Sequence, residues 1–167
     1  MKATAFDVDA PLDARRAIIR RDGDGVEMVE LAWGLRPREP GGRPFTSVRA
    51  EGRSFPSHRC LVPASEFLLA HRGQRYRFAL ADGDWFYFAG LWRPAAPDWP
   101  EAYAILTVAA NADVAPFSDR QLAVLRRARR LEWLDLTRPE HELLRPLPRG
   151  TFSVERVLET KRRAVLA

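Results

Sequence analysis

The chain has 167 residues, of which 46% are hydrophobic and 29% charged, and this balance predicts one globular domain spanning residues 1–167. We find neither an apolar stretch of membrane-spanning length nor a secretory signal segment, and the single cysteine, Cys60, excludes an internal disulfide framework, so we expect a cytoplasmic protein. Cysteine and histidine are too few and wrongly spaced for a structural zinc site, so we expect no metal and no cofactor.

The charge balance favours a polyanionic partner. The net charge is +5 and the sequence pI is about 10.1. Only two of the 27 basic residues are lysines, and arginine suits bidentate phosphate contacts and stacking on bases. A GC-rich genome explains the same arginine excess, because Ala, Pro and Leu are also abundant. The charge therefore supports a nucleic-acid partner only weakly.

The first half of the chain predicts strands around one long loop. Residues 16–35 predict two strands joined by a turn at residues 22–25, and the second strand alternates polar and apolar residues. Residues 36–56 are rich in Pro, Gly and Arg, which is typical of a functional loop. Residues 59–70 then predict an apolar strand.

The middle of the chain carries the clearest hairpin pattern. Residues 75–80 alternate, Asp82 and Gly83 form a turn, and residues 85–92 return as a second strand. A Pro-rich connection at residues 93–100 leads to another buried strand at residues 103–110.

The last part adds short helices. Residues 111–118 predict a helical turn or loop, residues 122–125 form an apolar patch, residues 126–136 have helical spacing, and residues 139–144 predict a short helix with Pro at its start. The residues expected to face inward from the 126–136 helix are Leu131, Trp133 and Leu134. Many short strands with few helices predict an α+β domain, mainly antiparallel and curved or barrel-like.

Four short blocks occur in a specific order. They are Trp33-Gly34-Leu35-Arg36-Pro37, Arg49-Ala50-Glu51, Arg59-Cys60-Leu61-Val62-Pro63 and Ala89-Gly90-Leu91-Trp92. In this order the chain resembles the SOS response-associated peptidase (SRAP) family from about Asp9 to about Leu136. The resemblance implies strongly curved packed sheets with peripheral helices, and a role in the SOS response to DNA damage.

The family's chemistry implies four reactive positions. The mature family protein begins with a cysteine, whose thiol and α-amine close on the aldehyde of an abasic site in single-stranded DNA. The product is a thiazolidine crosslink between protein and DNA. An Asn orients the new N-terminus, and a Glu and a His carry the proton transfers.

This chain has other residues at all four positions. Lys2, Ser47, Leu69 and Ser118 stand where the family has Cys, Asn, Glu and His, which implies a degenerate pocket without catalytic residues. The long Lys2 side chain also disfavours removal of Met1, and the stretch before Asp9 is expected to be shorter than in the family. His71 is the substitute worth testing, because it shares the face of Leu69 if the strand continues.

The matching positions that remain are suited to binding. Arg49 and Arg120 match the family's phosphate-contacting arginines, and Trp33 matches an aromatic residue near the DNA cleft. The loop arginines expected to line the same groove are Arg38, Arg43 and Arg53. Single strands are bound by such a combination of positive charge and aromatic rings.

Each of these residues has a structural alternative. Trp33 and Trp92 are typical core residues, Arg49 has Glu51 as a neighbouring ion-pair partner, and Glu51 suits backbone or arginine donors. The arginines of residues 126–130 fit a solvated helix face.

The first hypothesis is a monomeric, non-covalent single-stranded DNA binder associated with the SOS response. One alternative is an active enzyme that forms a Schiff base through the Met1 α-amine or Lys2, or acts as a peptidase. The other is a protein-interaction module without DNA binding.

Overall fold

The computed structural model describes residues 3–8, 10–12 and 14–158, which form two β-sheets and a few short helices. The strands of the first half are β1 (Ala5–Asp7), β2 (Arg15–Asp22), β3 (Gly25–Trp33), β4 (Ser47–Arg49), β5 (Arg59–Ala64) and β6 (Glu66–His71). The second half adds β7 (Gln74–Leu80), β8 (Phe86–Arg93), β9 (Ala102–Ala109), β10 (Arg120–Leu122), β11 (Val124–Arg126) and β12 (Phe152–Val157). The helices are a 3₁₀ helix (Arg127–Arg129), α1 (Arg130–Leu134) and α2 (Glu140–Leu143).

The smaller sheet has four strands in the order β1-β6-β7-β12, with β1 parallel to β6 and the other pairs antiparallel. The larger sheet follows the order β10-β9-β3-β2-β5-β8-β11, and β4 pairs with β9. Because β9 pairs with both β3 and β8, strands β9, β3, β2, β5 and β8 form a ring and the sheet is strongly curled. This architecture confirms the predicted α+β class with a curved, mainly antiparallel sheet.

Most of the core lies between the two sheets. Phe67 and Phe78 of the small sheet stack with their ring centroids 4.9 Å apart, and Phe6 meets Trp33 of the large sheet edge-on at 5.3 Å. A second cluster packs α1 against the other face of the large sheet, where Trp133 is fully buried. Strands β5 and β9 contribute to both clusters, which explains their nearly continuous apolar sequence.

The predicted hairpin around Asp82 and Gly83 is wrong. Strand β7 pairs with β6 and β12 in the small sheet, whereas β8 pairs with β5, β9 and β11 in the large one. The turn therefore carries the chain from one sheet to the other. The tight hairpin joins β6 to β7 through Arg72 and Gly73, which both have positive φ. Alternation within a strand does not specify its partner, and burial in the shared core makes that choice.

Several other boundaries also differ from the predictions. The predicted strand at residues 59–70 is two strands, separated at Ser65, whose N–H donates to the Thr4 carbonyl at 3.0 Å. Leu131 is 46% exposed, so only Trp133 and Leu134 of the predicted inward residues are buried. In the part of the chain that the structure describes, no helix is long and apolar enough to cross a membrane.

Other predictions are confirmed. The turn at residues 22–25 joins β2 to β3, which pair in the register Asp22 to Gly25 through Arg15 to Ala32. The helix α2 begins directly after Pro139, whose missing N–H costs nothing at a helix start. Residues 112–117 form turns, as expected for the segment before β10.

Candidate nucleic-acid interface

A cleft of about 990 Å³ opens between the loop that follows β3 and the segment that follows β8. The arginines that line it are Arg36, Arg38, Arg49, Arg53 and Arg93. Phe45 and Trp99 add aromatic rings, and the described lining includes no Asp or Glu. We call this the arginine cleft. Its composition produces a positive potential beside ring surfaces.

The five guanidinium groups are not equally available. Arg36 pairs with Asp98 at 2.9 Å, Arg93 donates to the Trp92 carbonyl at 2.9 Å, and Arg38 lies 5.3 Å from the centre of the Phe45 ring. Arg49 and Arg53 form no ion pair with any carboxylate among the described residues. These two side chains are therefore the ones best placed to bind an anion from solution.

Trp33 supports the arginine cleft from the core. Its side chain is only 5% exposed, and its Nε1 donates to the Thr46 carbonyl at 3.1 Å. Trp99 ties the facing loop to the same strand end, since its Nε1 donates to the Gly34 carbonyl at 3.0 Å. The burial of Trp33 favours the core interpretation, whereas the half-buried Trp99 lines the cleft itself.

Arg120 is held in a bidentate ion pair with Glu51. The two oxygens of the carboxylate accept from Nη1 and Nη2 at 2.7 and 2.8 Å. Nη2 also donates to the carbonyl and the hydroxyl of Thr107, at 2.8 and 3.0 Å. Glu51 accepts in addition from the N–H of Ala109 at 3.1 Å. The hydrogen bonds from Arg120 lower the pKa of Glu51 to about 2.

These contacts correct one interpretation and agree with another. Glu51 satisfies backbone and arginine donors, as its alternative interpretation expects, but its arginine partner is Arg120 and not Arg49. Arg49 lies opposite Thr107 in the β4–β9 register, so Arg49 and Arg120 converge on the same residue of β9. Arg43 is exposed on the same loop as Arg38 but lies outside the residues that line the cleft.

The structure describes three of the four positions at which the resemblance implies altered residues. Ser47 is exposed on β4 within the arginine cleft, and Leu69 is half-buried against the main core. The Ser118 hydroxyl donates to the Arg120 carbonyl at 2.7 Å and accepts from the Arg120 N–H at 3.3 Å. Lys2 lies outside the described residues.

His71 and Cys60 both have the contacts of structural residues. The His71 ring packs 5.6 Å from that of Phe117, next to the turn that carries Ser118, so the structure does bring His71 to this segment. Cys60 is fully buried, and burial raises the pKa of its thiol, which keeps it protonated. The described residues contain no group of three or more His, Cys, Asp or Glu arranged to hold a metal ion.

The arginine run at residues 126–130 pairs with its own neighbours. Arg126 pairs with Asp82, and Arg127 pairs with Asp84 at 2.9 Å while lying over the Trp85 ring. None of these arginines lines the arginine cleft. Their geometry is that of the solvated surface that the sequence suggests.

Sequence reasoning missed Arg36, Arg93 and Trp99 as lining residues of the cleft. Arg93 is the last residue of β8 and Trp99 lies in the connection that follows, whereas the sequence predicts only a Pro-rich loop at both positions. Trp99 reaches the cleft through its hydrogen bond to Gly34, a contact between segments far apart in the chain. The available signal is weak: a basic residue and a Trp in a Pro-rich loop.

A two-sheet α+β domain with an arginine-lined cleft is the class of protein that this geometry defines. The sequence pattern of the SOS response associated peptidase (SRAP) family matches residues 9–161. The chain therefore belongs to the SRAP family. No curated protein sequence matches it.

Solved structures share the fold. A protein from Bacteroides thetaiotaomicron is 21% identical, with a TM-score of 0.68 over 87% of this chain and 75% of its own. One from Bordetella bronchiseptica is 24% identical, with a TM-score of 0.67 over 93% and 92% of the two chains. A phage-related protein from the same organism is 24% identical, with a TM-score of 0.68 over 90% and 81%. At these identities the likeness establishes the architecture.

Proposed function

We propose that this SRAP protein binds single-stranded DNA without forming a covalent bond, and that its abasic-site crosslinking pocket is degenerate. The observation that supports the binding is the arginine cleft, whose described lining joins five arginines to three aromatic residues and contains no carboxylate. A single strand offers phosphates along its backbone and flat faces on its bases, which matches this lining.

In this proposal the phosphates follow the arginines of the loop. Arg49 and Arg38 bind phosphates inside the cleft, and Arg43 extends the track along the same loop. Arg120 contributes a further phosphate contact beside Thr107, where Glu51 accepts from the same guanidinium group. Trp33 positions the loop from the core side through its hydrogen bond to the Thr46 carbonyl, and the bases stack on the half-buried rings of Phe45 and Trp99.

The altered pocket supports the non-covalent part of the proposal. The aliphatic side chain of Leu69 has no proton to transfer. The Ser118 hydroxyl is already hydrogen-bonded to the backbone of Arg120, and no base activates it in the described structure. Ser47 retains a polar group within the cleft but lacks the amide that orients the family's N-terminus.

Binding is tested by fluorescence anisotropy with a labelled single-stranded oligonucleotide at several salt concentrations. Affinity is expected to fall with salt, with a logarithmic slope of about 0.7 per phosphate neutralised. The Arg49→Ala variant should bind more weakly at every salt concentration and lose about one phosphate from the slope. The matched control is Arg156→Ala, which removes an exposed arginine from β12 in the other sheet. Equal binding by the wild type and Arg49→Ala, or no binding at all, contradicts the proposal.

The non-covalent claim needs a separate experiment. The protein is incubated with single-stranded DNA that contains an abasic site, with and without borohydride, and resolved on a denaturing gel. We expect no shifted band under either condition. A heat-stable adduct without reductant overturns the degenerate pocket, and a borohydride-dependent adduct supports the Schiff-base alternative.

A further inference from the structure

A second pocket of about 580 Å³ lies beside the arginine cleft. Its apolar surface is formed by Ala50, Val108, Leu144 and Pro146. Arg53 and Ser54 line both cavities, so they form a shared ridge between them. A polymer bound in the arginine cleft therefore has only this ridge to cross before it reaches the second pocket.

The charges in the second pocket favour an anion. Both of its carboxylates have arginine partners elsewhere: Glu51 pairs with Arg120, and Glu140 pairs with Arg59 at 2.8 Å. Arg53 and Arg145 also line the pocket, and neither forms an ion pair with a carboxylate in the described part of the chain. The pocket thus combines an apolar surface with two guanidinium groups available to a ligand.

Glu140 and Arg59 hold the Ser54 side of the ridge in place. Oε1 of Glu140 accepts from the Ser54 hydroxyl at 3.3 Å, from the Phe55 N–H at 2.8 Å and from Arg59 Nη2. Arg59 is itself only 7% exposed and donates to the carbonyls of Phe55 and Trp133. The part of the ridge that is held in this way loses little conformational entropy on binding, which favours affinity.

We propose that the second pocket binds one nucleotide unit of the strand, with the base on the apolar surface and the phosphate between Arg53 and Arg145. This inference rests on the proposed function, since it extends the path of the same strand across the ridge. A nucleotide joins a flat apolar face to an anionic group, as the lining requires. The volume lies in the usual range for small-molecule sites.

The pocket is tested with deoxyadenosine 5′-monophosphate as the probe, followed by amide chemical shifts of the full chain. Shifts are expected at Gly52 and Ala109, which line the pocket. Deoxyadenosine and inorganic phosphate should each bind more weakly, because each offers half of the contacts. Arg145→Ala should weaken binding of the nucleotide about tenfold, the size expected for a charge-assisted hydrogen bond.

Two further variants separate a specific site from general charge. Ala109→Ile fills the pocket from an exposed strand position that tolerates a β-branched residue, and it should abolish the nucleotide shifts. Arg156→Ala removes an equal charge from the other sheet and should change nothing. Nucleotide shifts that ignore Arg145→Ala and Ala109→Ile, or equal binding of inorganic phosphate, overturn the inference.

The two proposals fail in distinguishable ways. If oligonucleotide binding depends on Arg49 but not on Arg145, the cleft stands and the second pocket is rejected. If the mononucleotide binds through Arg145 while no oligonucleotide binds, the pocket stands as a nucleotide site and the proposed function is rejected.

Discussion

The ion pair between Glu51 and Arg120 shows how one contact determines which arginines are available to bind an anion. The carboxylate takes both terminal nitrogens of the guanidinium, and Thr107 takes the remaining direction of Nη2. An arginine with these donors satisfied has less to offer a phosphate than Arg49, which has no such carboxylate partner among the described residues. The short Arg49-Ala50-Glu51 block therefore contains an arginine that is available to a ligand and the carboxylate that pairs with Arg120.

The depressed pKa of Glu51 predicts a pH dependence of stability. Its value of about 2 in the folded protein lies below its ordinary value of 4.5, so the unfolded chain takes up the proton first as pH falls. The stabilisation is complete above about pH 5 and is lost as the pH approaches 2. Because the Glu51 side chain is 48% exposed, solvent screening limits it to about 1 kcal/mol or less.

Urea unfolding of the wild type and Glu51→Gln from pH 7 to pH 2 measures this effect. The difference between their free energies of unfolding should be largest at pH 7 and should vanish near pH 2. Glu39→Gln, at an exposed loop position, serves as the matched control. A constant difference across the pH range would show that the carboxylate charge is not the stabilising feature.

At the scale of elements, the packing of β5, β8 and β9 explains two of the sequence blocks that carry the resemblance to the family. Gly90 of β8 lies opposite Cys60 of β5 and Ile105 of β9. A Cβ built on Gly90 would come within 2.8 Å of the Cys60 sulfur and 3.0 Å of the Ala104 carbonyl oxygen. The two blocks are thus in contact, and the missing side chain at Gly90 makes room for the Cys60 sulfur.

Gly90→Ala is therefore expected to destabilise the protein by about 1–3 kcal/mol, the usual cost of overpacking. Urea unfolding measures the loss, and Gly25→Ala is the control because its Cβ would meet only the Asp22 carbonyl oxygen at 3.7 Å. Combining Gly90→Ala with Cys60→Ala removes one of the two close contacts. The double variant should lose less stability than the sum of the single variants. Additive losses would exclude the clash with the sulfur.

At the scale of the whole molecule, the two sheets share one core. The main cluster joins Phe67 and Phe78 of the small sheet to Phe86, Phe88 and Tyr103 of the large one. Neither sheet can expose its inner face without exposing the other. This shared burial predicts that the two sheets fold and unfold together.

The chain is accordingly expected to unfold in a single cooperative transition. Calorimetry should give equal calorimetric and van't Hoff enthalpies, and near-UV and far-UV circular dichroism should change together. Phe67→Ala, at a 1% exposed position, should lower the free energy of unfolding by about 3–5 kcal/mol without splitting the transition. Two separate transitions would mean that the sheets are independent folding units.

The candidate site was predictable in part. Of the predicted loop arginines, Arg38 and Arg53 line one cleft and Arg43 does not. Arg49, which the family resemblance suggested, lines the same cleft from β4. The burial of Trp33 was foreseen only as an alternative, because a Trp at a strand end suits a core and a surface equally. Arg93 and Trp99 were missed, since their place in the cleft depends on packing between distant loops.

The sequence by itself determined the strands with strong alternation, the turn at residues 22–25, the α+β class and the resemblance to the SRAP family. These features depend on local periodicity, on turn residues and on short blocks in a fixed order. Only the tertiary structure decided that β7 and β8 belong to different sheets and that Arg120 pairs with Glu51. Strand partners and ion pairs are chosen by contacts between residues far apart in the chain, and the periodicity of a single segment carries no information about them.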